Sequence, residues 1–265
     1  MCSMTEYPPD SLRFGPEEAS PEAVTPHDDA SGQTSEVNGE PFKSISVPPS
    51  KLVVAYRRLA FALSALLSPY LVIPIATVGI VATQKLPTDQ FIRFTEWSIF
   101  FSTFIPSLYV VVQILRGKIT DVHVMEREQR GGPLLVAAVS SGMGACVLRA
   151  IGAPRPVWGI GVVLAVNGFV FLGISTRWKI SIHVAVLSSA VLASLIMIPN
   201  MQEMGAWRFE LMIPVLIWAR TARKRHTAWQ GIAACAVACC ITWLVLSLVY
   251  QLPPGSLGSS IFHRA

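Results

Sequence analysis

Charge is what this chain has least of. Asp, Glu, Lys and Arg make up 14% of its 265 residues while 52% are hydrophobic. An ordinary soluble domain carries about 25% charged residues, so that class is excluded. Paired cysteines are missing too. Cys2, Cys146, Cys235, Cys239 and Cys240 include no CxxC with a partner pair, and four lie inside apolar stretches. They read as small helix-packing residues, and neither a metal site nor a disulfide framework is indicated. The first residues lack a basic segment followed by an apolar one, so no secretory signal is expected.

What is present is a series of apolar runs, at about 59–83, 97–115, 134–153, 157–176, 182–200, 206–219 and 228–250. Runs of roughly 20 residues are long enough to cross a ~30 Å hydrocarbon core. The sixth is short and opens with Arg208 and Glu210. The expected fold is all-α, a polytopic membrane bundle of six or seven transmembrane helices within residues 51–252. Residues 1–50 carry nine acidic against two basic residues, a net of −7, and eight of the nineteen prolines. Such a tail cannot bury enough surface to offset its ordering entropy, so disorder is expected there. Residues 253–265 form a short C-terminal tail.

The scarce charge gathers at the mouths of three runs. Lys118–Arg130 follows the second, Lys179–His183 the fourth and Arg220–His226 the sixth. Two spans separate each motif from the next, so all three face one side of the membrane, together with the N-terminus. Thirteen of the nineteen basic residues beyond residue 50 fall on that side. The positive-inside rule makes it cytoplasmic. The expected location is the plasma membrane, with the motifs facing the cytoplasm.

The motifs read Lys118-Ile119-Thr120-Asp121, then Arg127 and Arg130-Gly131-Gly132-Pro133; Ser181-Ile182-His183; and Arg220, five residues, then His226-Thr227-Ala228-Trp229-Gln230. Over residues 118–250, about half the chain, this resembles the integral-membrane branch of the type 2 phosphatidic acid phosphatase and haloperoxidase superfamily. That family's signature is a Lys followed by Arg-Pro, a Ser-Gly-His, and an Arg-x5-His-x3-Asp. The resemblance implies metal-independent hydrolysis of a lipid or polyprenyl phosphate, with no cofactor. The implied partners are that substrate and membrane lipid, and no nucleic acid.

The chemistry fits the residue types. Phosphoryl transfer spreads charge over three equatorial oxygens, so positioning and electrostatics carry most of the catalysis. Arg220 and either Arg127 or Arg130 can each fork onto two oxygens, which a lysine cannot do. Lys118 adds a point charge and Ser181 a hydroxyl donor. A helix opening at Ser181 and His183 turns free N–H groups and its positive dipole end toward the anion. His226 would attack phosphorus and His183 would protonate the leaving alkoxide.

One departure bears on activity. Gln230 stands where the family carries Asp. In a serine protease triad the corresponding change to an amide costs about 10⁴ in rate. The Gln oxygen can still accept from imidazole Nδ1–H, and Asp121 is the candidate for the missing carboxylate. The alternative reading is thus a catalytically weak or inactive relative that binds anionic lipid. A transporter fits less well, because its ionisable groups would lie at the midplane.

Blander readings apply elsewhere. Arg223-Lys224-Arg225 reads as a positive-inside anchor or headgroup contact. Trp97, Trp158, Trp178, Trp207 and Trp229 read as an interfacial belt. Gly142 and Gly144, with Ser140 and Ser141, indicate close helix packing. His123 reads as solvated, and Asn167, in mid-span, should seek a polar partner.

Overall fold

A computed structural model describes residues 51–121, 124, 128–198 and 207–250, apart from the Trp207 side chain. Both tails, His123 and Arg127 lie outside the described residues, which all belong to one compact unit, Pro48–Ala265. The elements among them are helical, and no strand occurs.

The first apolar run is not one helix. It is divided between α1 (Lys51–Leu66) and α2 (Pro69–Ala82), which meet at a 45° bend. Pro69 causes the break. A residue before proline is pushed out of the helical region, and Ser68 sits extended at φ −78°, ψ 153°.

The second run is longer than its hydropathy implies. α3 (Thr88–Ile99), a π-helical turn (Phe100–Phe104) and α4 (Ile105–Leu115) join into one 28-residue span. It starts earlier than expected because Asp89, Arg93 and Glu96 dilute its first half. The wide turn ends two residues before Pro106, whose ring has no N–H and crowds the carbonyl four residues back, inside the turn.

α5 (Gly131–Ala150) and α6 (Arg155–Ser175) approach closely through small residues. A Cβ on Gly161 would stand 2.8 Å from the Ser141 carbonyl oxygen, and one on Gly168 2.8 Å from the Ala138 Cβ. α7 (Ile182–Met197) realises the run at 182–200. The run at 206–219 becomes α8 (Trp207–Glu210) and α9 (Met212–Ala222), and α10 (Ala228–Tyr250) closes the bundle.

Four helical segments, Thr88–Leu115, α5, α6 and α10, are long and apolar enough to cross a membrane, and the bent α1–α2 pair would make a fifth. α7, at 16 residues, is apolar but shorter. This inventory fits an integral membrane protein.

Packing is layered along the bundle. Phe171, Ile180, Val184, Leu216 and Ala234 form a cluster at the motif end, and Leu67 and Val72 pack against it. Ile80, Val163, Met197 and Leu246 form a second cluster, and Val81, Phe94, Leu148 and Val157 a third. Asn167 finds the mid-span partner that the sequence could not name. Its Nδ2 donates to the Val163 carbonyl at 3.0 Å and to Thr242 Oγ1 at 3.4 Å. The Thr242 hydroxyl donates onward to Ser189 Oγ at 3.0 Å, tying α6, α10 and α7 together.

Candidate functional site

A cavity of about 180 Å³ opens among these helices, and Arg130, His183, Arg220 and His226 line it together. They come from three separate motifs, so the packing brings one residue or more from each motif to a common space. Elsewhere the walls are mostly apolar, with Ile73, Val110, Leu134, Leu164 and Phe171 among them.

Arg130 sits where the first motif enters α5 and is only 5% exposed. Its Nε donates to the Val124 carbonyl at 3.1 Å and its Nη1 to the Ile180 carbonyl at 3.0 Å. The second bond locks the first motif to the residue preceding Ser181. Val124 holds its carbonyl there at φ 44°, a left-handed conformation that a β-branched residue adopts only under strain. Arg127, the other candidate for this position, lies outside the described residues.

Arg220 lies in the last turn of α9, where a cation suits the helix dipole, and is 2% exposed. Its Nη1 donates to Ser64 Oγ on α1 at 3.0 Å, while its buried Nε has no hydrogen-bond partner among the described residues. The bonds described here from Arg130 and Arg220 go to neutral oxygens.

His226 is buried between α9 and α10. Its Nδ1 lies 3.2 Å from Gln230 Oε1 and 3.3 Å from the Lys179 carbonyl oxygen. Both neighbours are acceptors, so Nδ1 carries the proton and Nε2 keeps a lone pair. Gln230 is itself fixed by a capping box at the start of α10. Its Oε1 accepts from Thr227 N–H at 3.1 Å, and its own N–H donates to Thr227 Oγ1 at 3.3 Å.

Burial, followed by the charges of Arg220 and Arg130, lowers the His226 pKa to about 4; the Gln230 and Lys179 bonds oppose this. At neutral pH the imidazole is therefore the free base. Asp121 is near enough to Arg220 and Arg223 to attract both, but it is not among the groups acting on His226. The residue behind His226 is Gln230.

Other expected residues stand differently. His183 occupies the first turn of α7 and is buried at the cavity wall. Ser181 takes the N-cap position of α7 and is fully buried, its hydroxyl without a hydrogen-bond partner among the described residues. It is not one of the lining residues. Lys118 is exposed in the turn after α4 and does not line the cavity either.

Sequence reasoning missed Ser64, Val124 and the Lys179 carbonyl. Ser64 belongs to no recognisable motif, Val124 lies within the Lys118–Arg130 segment but acts through its backbone, and a backbone carbonyl leaves no mark in the sequence. Thr227-x-x-Gln230 did carry a legible capping-box pattern. No family model, curated protein or solved structure matches this chain.

Proposed function

We propose that this protein is a membrane phosphatase of the type 2 phosphatidic acid phosphatase kind, hydrolysing a lipid or polyprenyl phosphate through a phosphohistidine. The observation that carries the reading is the convergence of Arg130, Arg220, His183 and His226 on one cavity. Arg130 and Arg220 hold the phosphate oxygens. His226 Nε2 attacks phosphorus as the P–O ester bond breaks, and His183 gives its proton to the departing alkoxide. Water, giving a proton to His183, then attacks phosphorus as the P–N bond breaks, which releases inorganic phosphate and regenerates His226.

A cavity lined by two arginines and otherwise mostly by apolar side chains favours a lipid phosphate over a soluble one. We place the protein in the plasma membrane with six or seven spans, α7 and α9 included, and the site at the cytoplasmic face. The second reading, anionic-lipid binding without turnover, is favoured by one residue, Gln230.

The test is phosphate release by purified protein from phosphatidate, prenyl phosphates and prenyl diphosphates in EDTA, beside His226→Ala. EDTA-resistant release that His226→Ala abolishes is the expected result. Folded protein that releases nothing from any substrate would establish the second reading instead.

A further inference from the structure

We propose that α1 is an oblique helix seated in the surface of the bilayer, which fixes the Arg220 guanidinium through Ser64. Contact with anionic lipid thereby sets how tightly the site grips an oxyanion. The oxyanion half of this proposal rests on the function just proposed.

α1 is 16 residues and ~24 Å long, a helix separate from α2. It leaves α2 at a 45° bend, and Leu67 and Val72, just after it, already pack on the motif-end cluster with Ile180. α1 therefore lies at the motif-side mouth of the bundle.

Most of α1 is exposed. Ala60 and Ser64, one turn apart, are its buried residues. Leu52, Leu59 and Leu66, spaced seven apart, form a stripe that is 81%, 54% and 61% exposed. Lys51 and Arg58 precede the first two leucines by one residue each, so they stand about 100° round the helix. An exposed leucine stripe with cations on the neighbouring flank is the pattern of a helix lying at headgroup level, its apolar side in the acyl boundary. Lys51, Arg57 and Arg58 supply the charge complementary to an anionic leaflet. We therefore commit to that lipid surface as the occupant of the stripe.

The side of α1 that packs on α9 reaches the site. Tyr56 meets Trp218 edge-on at 5.2 Å, and Arg223 lies over the Phe61 ring at 4.8 Å. Between these contacts Ser64 accepts from Arg220 Nη1 at 3.0 Å, with both residues buried. Arg220 leaves α9 near its end, so the hydroxyl on α1 holds the far end of a long, flexible side chain. A shift of α1 in the membrane would move that hydroxyl. Ser64 is accordingly a positioning residue.

The experiment uses the full chain in nanodiscs of phosphatidylcholine and phosphatidylglycerol, the latter carrying a diazirine on its acyl chain. Photolabelling should mark Leu59 and Leu66 and spare Lys51 and Arg58. Absence of label on α1, or label on the cationic flank, would overturn the membrane seating. Orthovanadate binding is then compared for the native protein, Ser64→Ala, Ser64→Thr and Leu59→Glu. Loss of one such hydrogen bond corresponds to about threefold to tenfold in affinity. Ser64→Ala should show that loss with its melting temperature kept, Ser64→Thr should retain binding, and Leu59→Glu should match Ser64→Ala. Vanadate bound equally by all four would overturn the coupling while leaving the phosphatase reading intact. Vanadate bound as expected but without phosphate release would overturn the phosphatase reading alone. No vanadate binding by the native protein would overturn both.

Discussion

Gln230 does two things with one amide oxygen: it caps α10 and receives the Nδ1 proton of His226. Gln230→Ala should therefore lower stability by about 1 kcal/mol, the usual worth of a helix cap, and reduce phosphate release as well. Gln230→Glu should keep the cap while placing a negative charge behind the imidazole. It should raise the His226 pKa from about 4 toward the ordinary range, a shift readable by NMR titration of ring-labelled histidine.

The same residue gives a pH signature. Between about 6.5 and about 4 the unfolded chain takes up a proton that the folded His226 refuses. Stability is then full above the unfolded value and lost as the pH falls through that window. Melting temperature should decline over this range in the native protein, and the slope should flatten in His226→Gln. The Arg-x5-His spacing was legible because both residues sit at a helix mouth, where charge stands out against apolar sequence. Ser64 was not, since its partner is 156 residues away and a serine in an apolar helix carries no periodic mark.

At the scale of elements, the tight α5–α6 contact is the feature most open to test. Gly161→Ala would drive a methyl into a backbone carbonyl that cannot rotate away. It should cost about 1–3 kcal/mol, the usual range for overpacking. Gly173→Ala, in the same helix with nothing within 4 Å, should instead be neutral or slightly stabilising. Thermal unfolding of the two variants in one detergent decides the matter. Hydropathy located these two helices well because both are apolar along their length. It blurred the span that begins at Thr88, because three charged side chains in α3 masked a continuous helix. It also smoothed over the bend at Ser68, although the Ser-Pro pair that causes it was in plain view.

For the whole molecule, the alternation of spans that puts three motifs on one side is the reading with most consequence. A membrane-impermeant amine reagent should modify Lys85 from one face of sealed vesicles, and Lys118 and Lys179 only from the other. Labelling of all three from one face would break the alternation. The alternation rests on the order and number of the apolar runs alone, four of which form helices long enough to span, or five with the bent pair. The cavity was not legible in the sequence, because its depth depends on how α2 and the π turn lean against α5, α6 and α7. There is also a bench consequence of enclosing the Arg130 and Arg220 guanidinium groups beside one cavity. Two like charges under one roof repel, and a small dianion between them would relieve that repulsion. Phosphate or sulfate in a purification buffer should therefore make the preparation more heat-resistant and, on the proposed phosphatase reading, silence it in the same tube. On that reading a laboratory choosing its buffer for yield would be selecting a competitive inhibitor, and the dialysed sample would be both the more fragile and the more active one.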